Sequence, residues 1–261
     1  QPGTGNPEAR ERVVVAVSGA PSGDAVIRRA ARLAQRSRAA LLGVHVHTPD
    51  HVVVRYVERV LDGGPADAPA GKEDDFTPIG PIGESRWVYA ASKLASEHLS
   101  YAHYREDKLP LAIVRPFNVY GPRQVGDGAI RGITLQALKN LPITLYNDGT
   151  QIRSWCFVSD FCDGVLRCCE NPAAVGQAFN IGNPQGTATN FELANLIIRL
   201  TNSKSEIVFK PHPGPEVDLR VPSIEKAMTL LGYKPTVSLE SGVAQAIEWY
   251  RENYDAVAGK K

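Results

Sequence analysis

No apolar run in the sequence is long enough to cross a bilayer: stretches such as 13–17 and 39–44 fall far short of the roughly 20 residues a spanning helix needs. Nor does either charge dominate. With 29 basic and 28 acidic residues the net charge is +1, which gives no electrostatic footing for nucleic acid or an anionic membrane as a partner. No basic-then-apolar signal segment opens the chain. Residues 1–12 read as a flexible polar leader, and a cytoplasmic location is expected. Cys156, Cys162, Cys168 and Cys169 follow no zinc spacing. Buried free thiols are expected of them, because 261 residues with 43% hydrophobic content can build a core without cross-links. His45 and His47 alternate on a strand with His51 beyond, but no acidic or Cys ligand accompanies them, so no metal site is expected.

What is present has the grammar of an α/β chain. Residues 13–17 are a β-branched run closed by Ser18-Gly19, a buried-strand signature. A helix is expected over 24–37, a strand over 41–47 and a helix over 53–61, which implies parallel strands joined by crossovers. Residues 63–71 (GGPADAPAG) break the pattern as a linker or long surface loop. A Pro- and Gly-rich loop over 75–85 leads to a helix over 88–105, a strand over 111–115, a helix over 130–139 and a strand over 143–146. Three cysteines fall on a helix expected over 160–170. Strands over 178–181 and 206–210 and helices over 192–201 and 239–253 follow, with Trp249-Tyr250 as a packing face of the last.

Tyr89-Ala90-Ala91-Ser92-Lys93 sets a phenol and an ammonium four apart, on one face of a helix. A tyrosine near its usual pKa of about 10 is a poor base, and an adjacent ammonium stabilises its phenolate. Such a phenolate can take the proton of a sugar hydroxyl as a hydride leaves the same carbon. Alone the spacing is weak, since exposed helices carry it by chance. Asn118 lies just past a strand end, where open parallel sheets bind ligands, although a plain turn residue reads the same way. Arg153 follows a glycine turn. Its planar fork suits a diphosphate or a carboxylate, and the bland alternative is a surface pair with Asp160 or Asp163.

These residues sit in an ordered series: Arg86-Trp87-Val88-Tyr89-Ala90-Ala91-Ser92-Lys93, Arg115-Pro116-Phe117-Asn118-Val119-Tyr120-Gly121-Pro122-Arg123, Asp148-Gly149-Thr150-Gln151-Ile152-Arg153, Val158-Ser159-Asp160 and Phe179-Asn180-Ile181-Gly182-Asn183. Over about residues 72–253 the series resembles the extended short-chain dehydrogenases/reductases, the NAD-dependent epimerase/dehydratase family, and within it the UDP-glucuronate decarboxylases. The resemblance implies NAD as cofactor, a UDP-sugar as substrate and oxidation of the sugar at C4, with 4-epimerase and 4,6-dehydratase chemistry as alternatives. It makes Tyr89 the catalytic base and Lys93 its partner on the nicotinamide ribose, with Pro116 beside the cofactor. Asn118, Arg131, Arg153 and Arg220 become substrate contacts, Arg153 near the sugar. In the decarboxylases the residue after that arginine is small, like Ser154; in the 4-epimerases it is more often Asp. The resemblance also implies a homodimer through the Tyr89 helix, with Leu94 and Leu99 as apolar surface and His98, Ser100 and Tyr104 as a mixed rim.

The expected fold is therefore a Rossmann-like parallel sheet with helices on both faces plus a small C-terminal α/β substrate-binding domain. Residues 13–71 would be an atypical cofactor half, 72–128 the catalytic part and 129–261 mostly the substrate domain, with 178–184 returning to the sheet. The family opens with Gly-x-x-Gly-x-x-Gly, whose glycines admit a pyrophosphate to a helix N-terminus. Here Ser18-Gly19-Ala20-Pro21-Ser22-Gly23-Asp24 spaces the glycines four apart and adds Pro and Asp. Residues 10–50 resemble instead the universal-stress-like domain of potassium-sensor histidine kinases. An inactive nucleotide-sugar-binding or regulatory fusion is accordingly the alternative to an enzyme.

Overall fold

The computed structural model describes residues 12–17, 40–45, 71–74, 86–124, 126, 128–212 and 218–258, the first two strands as backbone. The leader, the 18–24 turn, the helices expected over 24–37 and 53–61, His47, His51, most of 63–71 and the 75–85 loop lie outside the described residues.

The strands are β1 (Arg12–Val17), β2 (Ala40–His45), β3 (Ile113–Pro116), β4 (Val119–Tyr120), β5 (Ile143–Tyr146) and β6 (Ile152–Ser154). They continue with β7 (Cys156–Phe157), β8 (Ala178–Ile181), β9 (Thr187–Thr189), β10 (Ile207–Lys210) and β11 (Leu219–Arg220). The helices are α1 (Arg86–Glu106), α2 (Ala129–Leu138), α3 (Val158–Glu170), α4 (Asn190–Thr201), α5 (Glu225–Leu231), α6 (Leu239–Glu252) and α7 (Tyr254–Ala258).

β1, β2, β3 and β8 form one sheet in that order, every neighbouring pair parallel. β3 and β8 bury almost every residue, as a sheet covered on both faces requires. Arg115 and Asn180 are register partners, so they share one face while Phe179 and Ile181 point to the other. α1 lies on the first face, where its Glu97 meets Arg115. α3 lies on the second: a Cβ added at its Gly164 would come within 2.5 Å of Ile181 Cγ2, so only glycine permits the approach. Lys226 of α5 sits on the same side, 5.4 Å from the centroid of the Phe179 ring. Helices cover both faces of a Rossmann-like sheet.

Val114, Phe179, Ile181, Ile224, Leu231 and Tyr233 make the core beside the sheet. A second core gathers Ile133, Ile143, Leu193, Ile197, Val243 and Ile247 from α2, β5, α4 and α6. Around it run a parallel β5–β10 pair, a parallel β4–β7 pair and a three-stranded sheet in the order β11-β6-β9.

The long elements match the sequence reading to within two residues at most ends. α4 starts earlier than expected because Thr189 and Glu192 form a capping box, each side chain accepting from the other's backbone N–H. The helix expected over 239–253 ends at Glu252. Asn253 takes the Trp249 carbonyl with its side-chain amide at 2.9 Å, and the chain restarts as α7. α5 and the two- and three-residue strands were not foreseen, being too short to show a period. The cysteines are free, as expected, but only Cys156 and Cys168 are buried. α3 buries Asp160, Gly164 and Cys168 at four-residue spacing, which turns Cys162 outward and leaves Cys169 half-buried. Among the described residues no helix is long and apolar enough to cross a membrane.

Candidate active site

α1 is built from good helix formers, and its serines satisfy themselves locally. Ser92 Oγ donates to the Tyr89 carbonyl at 2.7 Å, Ser96 Oγ to the Ser92 carbonyl and Ser100 Oγ to the Ser96 carbonyl. One turn apart, Lys93 Nζ lies 4.9 Å from the centroid of the Tyr89 ring, within cation–π range. Lys93 is only 6% exposed. Burial penalises the ammonium and lowers its pKa to about 8. A lysine so placed is costly to stability.

The helix is held on the sheet by polar groups. Arg115, on β3, donates from Nε to Glu97 Oε2 at 3.0 Å and from Nη2 to Glu97 Oε1. Its third donor, Nη1, reaches the Glu73 carbonyl at 2.9 Å. Paired with Glu97, the guanidinium is held above its ordinary pKa even though burial opposes the charge. Glu73 in turn accepts the Asn180 backbone N–H at 2.8 Å, and the Asn180 amide donates to the Gly71 and Ser223 carbonyls. Farther along α1, Tyr104 fills the space that a Cβ on Gly176 would take. Tyr104 therefore packs beside Gly176 and stays half-exposed. Sequence reasoning passed over Glu97, Arg115, Glu73 and Asn180. The signal was there: a lone arginine ends an apolar strand, and a glutamate continues the Tyr89–Lys93 spacing by one more turn.

Pro116 ends β3, buried opposite Ile181. Asn118 follows with φ of 38°, a left-handed conformation asparagine tolerates. Its amide donates to the Ser154 carbonyl at 2.8 Å, and its own carbonyl accepts from Cys156 N. This turn therefore ties the end of β3 to β6 and β7. Arg153, on β6, is 7% exposed and Arg220, on β11, 4%. The two are register partners on parallel strands, so their side chains leave the same face. Arg153 Nη1 donates to the Ile152 carbonyl at 2.9 Å and the Asp218 carbonyl at 3.2 Å. The surface-pair alternative for Arg153 fails: Asp163 holds Arg167, and Asp160 accepts from Thr236 and from the Val237 backbone. Arg131 lies in the first turn of α2. Its Nη2 donates to the Val257 carbonyl at 2.6 Å and its Nη1 to the Gly126 carbonyl, closing α7 onto the first turn of α2.

Lys93→Met keeps the side chain's length and removes its charge. The variant is expected to be more stable than the parent at about pH 7 by about 1–2 kcal/mol. The folded pKa lies below the unfolded one, so between about 8 and the ordinary lysine value the unfolded chain binds more protons and the parent gains stability as pH rises. The variant's advantage should therefore shrink above pH 8. Urea midpoints of both proteins at about pH 7 and pH 9.5 check this; an advantage that stays constant contradicts it.

Residues 61–182 match the NAD dependent epimerase/dehydratase family. UDP-glucuronic acid decarboxylase 2 of Arabidopsis thaliana is 38% identical over 176 residues, covering 67% of this chain and 39% of that protein. The UDP-N-acetyl-alpha-D-glucosaminuronate decarboxylase of Bacillus cytotoxicus is 34% identical over 194 residues, 70% of this chain and 59% of that protein. The chain thus spans well under half the length of the plant relative. Among solved structures, the UDP-glucuronic acid 4-epimerase of Bacillus cereus, in complex with UDP-glucuronic acid and NAD, superposes with a TM-score of 0.73 at 25% identity. That match covers 88% of this chain and 67% of the epimerase. The UDP-glucose 4-epimerase of Thermotoga maritima shares the fold at a TM-score of 0.76 and 24% identity, over 94% of this chain and 78% of that one. From its motifs, its fold and these relatives, the chain belongs to the NAD-dependent epimerase/dehydratase family of extended short-chain dehydrogenases/reductases.

Proposed function

We propose that this chain carries the catalytic and substrate-binding part of an NAD-dependent nucleotide-sugar enzyme, a UDP-glucuronate decarboxylase that works in the cytoplasm. The observation that carries this reading is Lys93, a buried ammonium over the Tyr89 ring with its pKa lowered to about 8. Tyr89 takes the proton of the sugar C4 hydroxyl, and the Lys93 charge stabilises the phenolate that does so. NAD, when bound, supplies the acceptor for the hydride that leaves C4; Tyr89, Lys93 and Pro116 would hold its nicotinamide end. Tyr89, protonated by the first step, hydrogen-bonds the new C4 carbonyl. The C6 carboxylate is now β to a ketone, so CO2 leaves and its bonding electrons form the C4–C5 enolate, which takes a proton at C5. When the hydride returns to C4, Tyr89 gives its proton back to the C4 oxygen and a pentose remains. Arg153 and Arg220 hold the UDP diphosphate or the sugar carboxylate, and Asn118, bonded to the Ser154 carbonyl beside Arg153, contacts the same ligand. Ser154 favours decarboxylation over epimerisation: it is buried with Oγ donating to the Asn183 carbonyl at 2.5 Å, a place where an aspartate would meet an acceptor instead of a donor.

One sequence feature favours a second reading. Ser18–Asp24 lacks the family's glycine spacing, which fits a module that binds nucleotide sugar without a dinucleotide. Tyr89→Phe separates the two. In the enzyme, turnover of UDP-glucuronate with NAD should fall at least ~100-fold while UDP affinity holds, because only a proton acceptor is lost. Near-normal turnover in the variant removes Tyr89 from the mechanism, and a parent that binds UDP but not NAD supports the module.

The proposal includes a homodimer through α1. Val88 and Leu99 are exposed on it and Leu94 is half-buried, so one self-complementary patch is available to a two-fold interface. Light scattering at micromolar concentration should give twice the chain mass, and a monomer there defeats this part.

A further inference from the structure

Lys93 and Glu97 are four residues apart on α1, a spacing at which a lysine and a glutamate reach each other on a helix. A carboxylate bears a full charge, and for an ammonium it is a stronger partner than the face of a phenol ring. Yet Lys93 Nζ lies over the Tyr89 ring. Both Glu97 oxygens are taken by Arg115, one by Nε and one by Nη2. The guanidinium is fixed at a third point as well, since Nη1 donates to the Glu73 carbonyl. Glu73 cannot drift, because its carboxylate accepts the Asn180 N–H and Gly71 receives the Asn180 amide.

We propose that Arg115 is a positioning residue: by occupying both oxygens of Glu97 it stops that carboxylate from capturing the Lys93 ammonium, and so keeps the ammonium against Tyr89. The inference rests on the Tyr89–Lys93 reading given above. Among the described residues, the charged and titratable groups acting on the Arg115–Glu97 fork are Tyr101 on α1 and Glu73 and Asp74 from the 71–74 segment, and Lys93 and Tyr89 lie one and two turns before Glu97 on α1. Among them Arg115 is the cation that can neutralise Glu97 in place of Lys93.

The test is the titration of Lys93 by NMR of the isotopically labelled full chain, its signal assigned by its loss in Lys93→Met, beside steady-state kinetics. In Arg115→Gln the Lys93 midpoint should rise by about one to two pH units as Glu97 captures it. In the same variant kcat should fall about 10- to 100-fold with little change in KM. Glu97→Gln breaks the same fork but frees no carboxylate, so Lys93 should keep its midpoint near 8 and kcat should fall much less. The double variant Arg115→Gln/Glu97→Gln should bring the midpoint back and restore most of the turnover lost in Arg115→Gln. Arg115→Lys, which fills one carboxylate oxygen, should lie midway and decides the matter if Arg115→Gln does not fold. Equal losses in the two single variants, with no recovery in the double, would make the fork a simple clamp and overturn the proposal. A midpoint that follows this pattern in a chain without turnover leaves the role of Arg115 standing and removes the enzymatic reading alone.

Discussion

A bidentate arginine–carboxylate fork, Arg115 on β3 against Glu97 on α1, sets where the Tyr89 helix sits. The inward positions of α1 are polar-tipped: Lys93, Glu97, Tyr101 and Tyr104. An apolar stripe tolerates small slips along its partner, because dispersion and burial are not directional. A planar fork does not, since both donors must meet both oxygens. The same arginine reaches the 71–74 segment, and through Glu73 and Asn180 that segment is bound to β8. Position along the helix is thus fixed by directional bonds.

The second constraint is the charge that the fold buries away from α1. Arg153 and Arg220 are register partners, both nearly inaccessible. Such charges cost several kcal/mol each unless they are met by acceptors or by an anion. Backbone carbonyls at 152 and 218 accept from Arg153. The Asn118 turn joins this pair to the Tyr89 helix: it follows β3, where Arg115 lies, and its amide holds the carbonyl of Ser154, next to Arg153. One asparagine in a left-handed conformation therefore couples β6, which carries Arg153, to the strand that Arg115 bonds to the Tyr89 helix.

Much of this was legible in the sequence, and the limits have physical causes. Long elements declared themselves through period and apolar runs, so β5 and β8 fell where the pattern put them. Tyr89, Lys93, Asn118 and Arg153 were marked by motif spacing, and the structure joins Tyr89 to Lys93 and Arg153 to Arg220. Spacing along a chain says little about contacts made across it. Spacing marked Arg131 as a nucleotide contact, and it could not show that two of its donors also close α7 onto α2. Glu97 and Arg115 stand 18 residues apart, and Glu73 joins them from a loop, so no local window contains the network. Two-residue strands such as β4 and β11 arise from tertiary pairing and have no period to detect.

The proposed function puts Arg153 and Arg220 at the anionic part of the ligand whose sugar meets Tyr89. An experimental structure of the full chain with UDP bound addresses it most directly. The account predicts diphosphate oxygens within hydrogen-bond distance of both guanidinium groups. A nucleotide bound away from both arginines, or no binding at about millimolar UDP, would contradict it.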